Sequence, residues 1–170
     1  MRAAAAVALV AMMLAGCQLV DAQPEPPPRT LAVVAIVDGD TITATTPEGE
    51  RVRVRVLGID APEVAKDGQP PECGAEDART ALASLIEGRD VALSADPASD
   101  REDRYGRVLG YLAAGEVEDV GTALIEAGMA AAWWPRNAAE PTRGASYSTA
   151  QARAQRHRVG LHLLSSSTGP

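Results

Sequence analysis

The stretch Arg51-Val52-Arg53-Val54-Arg55-Val56-Leu57-Gly58-Ile59-Asp60-Ala61-Pro62-Glu63 decides how this 170-residue chain folds. Up to Val56 its valines alternate with its arginines, so a strand here has one apolar face and one cationic face. Pro62 disfavours helix at Ala61 and holds it extended. The Ala61 carbonyl and the side chains of Asp60 and Glu63 are thereby aimed outward from a fixed bend. A second acidic turn, Val37-Asp38-Gly39-Asp40-Thr41, lies upstream. Two oxygen-rich turns beside an arginine suggest a hard cation facing a phosphate.

Working outward, residues 31–37 form an apolar run of strand length, ended by Asp38-Gly39. Residues 41–46 are β-branched and alternating, Pro47-Glu48-Gly49 is a turn, and residues 50–57 make the Arg/Val strand. The three read as an antiparallel meander. Residues 66–73 are a loop. Ala78, Leu82, Leu85 and Ile86 have helical spacing within residues 75–87, and Gly88 stops that helix. Residues 90–95 and 108–113 are a fourth and a fifth strand, separated by a charged loop. Val117, Val120, Leu124 and Ala127 mark a second helix ended by Gly128. Residues 146–158 are a third, with Arg156, His157 and Arg158 in its last turn, where the helix dipole favours cations. This order fits an α+β, mainly β architecture: a five-stranded Greek-key barrel of the OB type with three packed helices.

The ends are of another character. Residues 1–16 carry Arg2 and an apolar run too short to span a bilayer, and are expected to be an export signal. Leu14-Ala15-Gly16-Cys17 resembles the bacterial lipobox, in which the cysteine is lipidated. Ordinary cleavage after Val20-Asp21-Ala22, giving a secreted protein, is the rival. Residues 17–29 would be a proline-rich tether from lipidated Cys17, residues 30–163 one domain, and residues 164–170 a disordered tail. The expected place is outside the cytoplasm, anchored to a membrane of the envelope.

Several functions are disfavoured. The net charge is −7, and removal of Arg2 makes it more negative. That argues against holding nucleic acid by a broad basic surface, though not against a local basic cleft. The two histidines, His157 and His162, lie near the C-terminus with no cysteine cluster, which makes a zinc site or a Ser-His-Asp triad a poor fit. With Cys17 lipidated, Cys73 has no disulfide partner; a lone cysteine of this kind is usually a small packing residue.

The candidate site residues each have a plainer reading. Asp40 and Asp60 leave strands in turns and, with the Ala61 carbonyl, would suit calcium; Asp38 and Asp40 could equally be turn formers. Glu63 could reach a water near the ion, or be a solvated loop carboxylate. Arg55 and Arg107 could clamp a phosphate with their guanidinium forks, or be exposed charges. Trp133-Trp134-Pro135 could stack on a base, although capping the core is the stronger expectation for Trp133.

Together and in order, Ile36-Val37-Asp38-Gly39-Asp40-Thr41, Arg55 to Glu63, and Asp103-Arg104-Tyr105-Gly106-Arg107 resemble the staphylococcal nuclease (thermonuclease) family. Ala127-Gly128-Met129-Ala130 followed by Trp134 and Pro135 adds a weaker match. The likeness covers roughly residues 31–161. It implies a calcium-dependent phosphodiesterase that cleaves DNA and RNA to 3′-phosphate products; separately, no protein partner is expected and the chain is expected to be a monomer. It further implies that Asp40, Asp60 and the Ala61 carbonyl bind Ca2+, and that Glu63 orients or deprotonates the attacking water. Arg55 and Arg107 would hold the scissile phosphate, while Tyr105 and Trp134 contact the nucleotide. The chain departs from the family in its acidic total and in ending the last helix Gly160-Leu161-His162, where Gly-Leu-Trp is common. A non-catalytic OB-fold module that binds nucleic acid or another ligand is the alternative; retention of Asp40, Arg55, Asp60, Glu63 and Arg107 together argues for the enzyme.

Overall fold

The Arg/Val alternation produces the strand it predicts. In the computed structural model, which describes residues 27–65 and 68–163, Val54 and Val56 are fully buried while Arg51 and Arg53 face solvent. Each such valine contributes about 1.5–3 kcal/mol by leaving water. This strand, β3 (Arg51–Val56), is the third of a meander with β1 (Arg29–Ile36) and β2 (Thr41–Thr45). Both pairings are antiparallel, with Ile42 opposite Val54 and Thr41 opposite Arg55. The expected export signal, lipidated Cys17 and most of the tether lie outside the described residues, as do Lys66, Asp67 and the tail from residue 164.

The strand β1 starts two residues earlier than its apolar run, because Arg29 and Thr30 pair with Leu93 and Ala92 of β5. Its run is not buried on both faces. A bulge between Val33 and Ala35 resets the alternation, so Leu31, Val33 and Ile36 turn inward and Val34 stays exposed.

After β3 come β4 (Ile59–Asp60), α1 (Ala75–Ile86), β5 (Asp90–Ser94), β6 (Val108–Ala113), α2 (Val120–Glu126), β7 (Ala131–Ala132), α3 (Gly144–His157) and a 3-10 turn, Gly160–Leu163. The five long strands close a barrel in the order β1-β2-β3-β6-β5. Antiparallel pairs join β1 to β5 and β5 to β6, whereas β3 and β6 run parallel, with Val54 opposite Val108. This is the expected OB-type barrel with three helices.

The helix α1 buries Ala78, Leu82 and Ile86, the face that their spacing marks. The helix α2 begins at Val120, three residues past the first apolar position marked for it, because Asp119 caps it by accepting from the Thr122 backbone N–H at 3.2 Å. The helix α3 begins two residues before the expected start and buries Tyr147, Ala150 and Ala154. Barrel and helices share one core, in which Leu31, Ile42, Val91 and Leu112 meet Leu82, Ile125 and Tyr147. Among the described residues no helix is long and apolar enough to cross a membrane.

Two strands of two residues each had no signature in the sequence. In the β4–β7 ladder Ile59 pairs with Ala132 and Asp60 with Ala131. The Trp133 N–H then donates to the Gly58 carbonyl at 2.9 Å. This small ladder draws the tryptophan segment across the mouth of the turn that follows β3.

Candidate active site

The turn between β1 and β2 is locked before its side chains act. The Val37 N–H donates to the Thr41 carbonyl at 2.9 Å, and the Asp40 N–H to Asp38 Oδ1 at 3.2 Å. The Asp40 carbonyl accepts from the Val56 N–H at 2.8 Å, which fastens the turn to the end of β3. Gly39 lies so close to its neighbours that an added Cβ would fall 2.7 Å from the Cβ atoms of both Ala61 and Ala78. Only glycine lets this turn settle against the bend and α1 together.

Asp40 is consequently buried, 5% exposed, and half-exposed Asp60 leaves β4 beside it. Arg55 bridges them. Its Nη2 lies 3.0 Å from Asp40 Oδ2 and 3.0 Å from Asp60 Oδ1, and its Nη1 donates to the Ile59 carbonyl at 3.0 Å. The Ala61 N–H donates to Asp40 Oδ2 at 3.4 Å. Arg55 is therefore not the solvated strand residue of the plainer reading.

The electrostatics follow from this crowding. Burial pushes the Asp40 carboxyl up to about 7; Arg55 pulls it down, and Asp38 adds to the rise. Asp60 is also raised, first by burial, with Arg55 opposing and Glu72, Glu63 and Asp38 reinforcing it. The position shared by the two carboxylates already attracts one cationic group. The donors on offer are carboxylate oxygens, with the Ala61 backbone bonded to one of them through its N–H, so their chemistry fits a hard divalent cation completed by water. Among the described residues no group of three or more His, Cys, Asp or Glu side chains forms a fuller cage.

Arg107 reaches the same place from the start of β6, the parallel neighbour of β3. Asp103 organises its loop by accepting from the Tyr105 N–H at 2.9 Å and the Arg107 N–H at 3.0 Å, with Gly106 at φ +71° making the bend. The Asp103 Oδ2 also accepts from Arg107 Nε at 2.7 Å. Burial would raise the Asp103 carboxyl, but its hydrogen bonds to Arg107 and Tyr105 outweigh that and hold it below its ordinary value. Arg107 Nη1 approaches Thr41 Oγ1 at 3.4 Å, and that hydroxyl donates to Asp40 Oδ1 at 2.9 Å. Buried Thr41 thus links the two halves of the site.

A cleft of about 770 Å³ opens over these groups, and Arg55, Asp60, Glu63, Arg107, Tyr105 and Trp134 line it. Glu63 is exposed there, and its backbone is fixed: its N–H donates to Glu72 Oε2 at 3.0 Å and its carbonyl accepts from the Glu72 N–H at 3.0 Å. Tyr105 is exposed, with the Arg107 and Arg104 guanidinium carbons 5.4 Å and 4.7 Å from its ring centre.

Trp133 corrects the sequence reading. It is 47% exposed rather than capping the core, it lines the cleft beside half-buried Trp134, and Arg55 sits 5.7 Å from its ring centre. The β4–β7 ladder explains the difference. Asp40, Arg55, Asp60 and Ala61 are in mutual contact, Arg107 joins them through Thr41, and Glu63, Tyr105 and Trp134 face the common cleft. Cys17 lies outside the described residues. The sequence carries no mark of the roles of Glu72 and Thr41; for Asp103 the one signal is a carboxylate four positions before an arginine in a loop.

Comparison with known proteins adds an independent line. A thermonuclease of Staphylococcus hyicus is 31% identical over 84 residues, covering 49% of this chain and 48% of the relative. A thermonuclease of Staphylococcus intermedius is 32% identical over 106 residues, 62% of this chain and 61% of that protein. A probable endonuclease of Colletotrichum graminicola is 32% identical over 131 residues, 74% of this chain and 46% of the relative. The likeness thus spans about half the length of the first and last of these relatives. The family model described as staphylococcal nuclease homologue matches residues 53–162, a stretch that holds Arg55, Asp60, Glu63 and Arg107 but begins after Asp40. By that match, and by a barrel that brings those residues to one cleft, the chain belongs to the staphylococcal nuclease family.

Proposed function

We propose that this protein is a calcium-dependent phosphodiesterase that hydrolyses DNA and/or RNA to 3′-phosphate products. In this reading it acts as a monomer, outside the cytoplasm, tethered to a membrane through lipidated Cys17. The observation that carries the reading is the single Arg55 nitrogen 3.0 Å from both Asp40 and Asp60, within a cleft that also presents Glu63 and Arg107. Family membership supports it, as do the thermonuclease and endonuclease names of the relatives. The anchor is supported only by the Leu14-Ala15-Gly16-Cys17 pattern.

In the proposed chemistry a water attacks the phosphorus and Glu63 takes its proton. The bond from phosphorus to the 5′ oxygen breaks, leaving a 3′-phosphate, and the departing oxygen takes a proton from solvent in the open cleft. Arg107 donates to the phosphoryl oxygens where charge accumulates, its loop held in place beforehand by Asp103. Arg55 neutralises the two carboxylates and lines the cleft where the same phosphate would lie. Asp40, Asp60 and the Ala61 carbonyl would hold calcium, whose chemistry is Lewis-acid polarisation of a phosphoryl oxygen. Tyr105 would contact the phosphate or sugar at the 5′ end of the nucleotide, and the two tryptophans offer aromatic faces to the bases.

The deciding experiment incubates the full chain with labelled single-stranded DNA, duplex DNA and RNA, in calcium and in a calcium chelator. Cleavage is expected in calcium and a loss of at least about a hundredfold in chelator, with products that lose a terminal phosphate and its charge on treatment with a 3′-phosphatase. Equal cleavage in chelator would remove calcium from the proposal. Oligonucleotide binding with no cleavage would favour the non-catalytic binding module. Detergent-dependent fractionation that is lost in Cys17→Ser is the corresponding check on the anchor.

A further inference from the structure

Asp96 is 5% exposed and stands just after β5, where the 97–107 segment leaves the barrel. Its Oδ1 accepts from the Ala98 N–H at 2.7 Å, on its own segment. Its Oδ2 accepts from the Thr142 N–H at 2.7 Å and from Thr142 Oγ1 at 3.0 Å. The Tyr111 hydroxyl, on β6, donates to the same oxygen. Thr142 is where the 133–142 segment ends, just before α3. One buried carboxylate therefore joins the roots of two segments far apart in sequence.

Those segments form two walls of the cleft. Asp103, Tyr105 and Arg107 lie on the first, and Trp133, Trp134 and Pro135 on the second. The fastening is reinforced around Tyr111. The Arg143 N–H donates to the Tyr111 hydroxyl at 3.2 Å, and the Arg143 guanidinium carbon lies 4.2 Å from the Tyr111 ring centre. Arg143 Nη1 also pairs with Asp119 Oδ2, the cap of α2, at 2.8 Å. Among the described residues, the hydrogen bonds between the two segments run through Asp96 and Tyr111. Burial would raise the Asp96 carboxyl; the bonds from Tyr111, Ala98 and Thr142 prevail and hold it below its ordinary value.

We propose that Asp96 is a positioning residue that sets the spacing between the 97–107 and 133–142 walls, and so how tightly a polynucleotide lying across both is held. The coupling of the walls follows from the hydrogen bonds alone; the consequence for a polynucleotide rests on the function proposed above. Asp40, Arg55, Asp60 and Glu63 sit on neither wall, and Arg107, at the end of the first, keeps its own bonds to Asp103 and to Thr41 of the barrel, so loosening the fastening acts on the binding of a long substrate more than on the chemical step.

The test uses hydrogen–deuterium exchange of the full chain as wild type, Thr142→Val, Thr142→Ser and Asp96→Asn, with kinetics alongside. Thr142→Val removes one hydroxyl from the second wall and keeps the Thr142 N–H bond, so it tests the tie even if Asp96→Asn does not fold. Exchange is expected to rise in residues 98–107 as well as in 133–142, with β1 to β3 unchanged. The KM for an oligonucleotide spanning both walls should rise roughly five- to tenfold, with kcat within about twofold. A mononucleotide nitrophenyl ester should show no change, and Thr142→Ser should behave as wild type. Faster exchange confined to 133–142, or equal losses on long and short substrates, would overturn the proposal. If the wild type cleaves nothing, the functional reading fails, and the exchange pattern still decides whether the walls are coupled.

Discussion

Replacing Glu63 with glutamine is expected to lower turnover by roughly 10²- to 10⁴-fold, the range that loss of a general base produces. The substitution keeps the size of the side chain, removes its ability to accept a proton, and removes a negative charge that helps to raise the Asp60 carboxyl. The Glu63 backbone bonds to Glu72 do not involve the replaced carboxylate, so the loop should keep its shape. Oligonucleotide affinity in calcium should therefore stay within about twofold of wild type, since the lost interaction belongs to the chemical step. Single-turnover cleavage with a parallel binding titration reads both. Wild-type turnover would remove Glu63 from the mechanism and leave Asp60 as the remaining carboxylate on the cleft near Arg55.

Arg107→Ala should cost roughly 10²- to 10³-fold in kcat, and kcat/KM should fall by the same factor, as expected for donors that act on charge appearing only in the transition state. Arg107→Lys should recover little, because an ammonium group does not reproduce the fork that meets Asp103 and Thr41 while facing the cleft. Removing the guanidinium also strips Asp103 of its charged partner, so part of any loss could come from the loop. Thermal unfolding of both variants separates the two effects. A loss confined to KM would demote Arg107 to ground-state binding.

Much of the fold was legible because its strands and helices carry local periodicity. The Val/Arg alternation named the buried face of β3, and the spacing of Ala78, Leu82 and Ile86 named that of α1. What was illegible depends on partners distant in sequence. The parallel seam between β3 and β6 leaves no mark on either strand, and two-residue strands such as β4 and β7 are too short to show a period. The placement of Trp133 failed for that reason: an exposed tryptophan and a core tryptophan look alike until the β4–β7 ladder is known.

The site divides in the same way. That Asp40 and Asp60 could converge was readable from two acidic turns that each leave a strand. That Arg55 would fold back between them could not, since the alternation assigns it to a solvated face. Thr41 and Asp96 act through hydrogen bonds to partners distant in sequence that no local pattern encodes, the bond from Arg107 to Thr41 being an example.

The parallel seam also orders events in time. The β1–β3 meander is built from hairpin contacts between neighbours in sequence, and it carries Asp40 and Arg55, with Asp60 just beyond it. The β3–β6 pairing must await the whole of α1 and β5, and it delivers Arg107 and, beyond it, Trp133. Non-local pairing of this kind is slow relative to hairpin formation. Folding from the N-terminus therefore assembles Asp40, Arg55 and Asp60 first and brings in Arg107 last, so that barrel closure completes the proposed site.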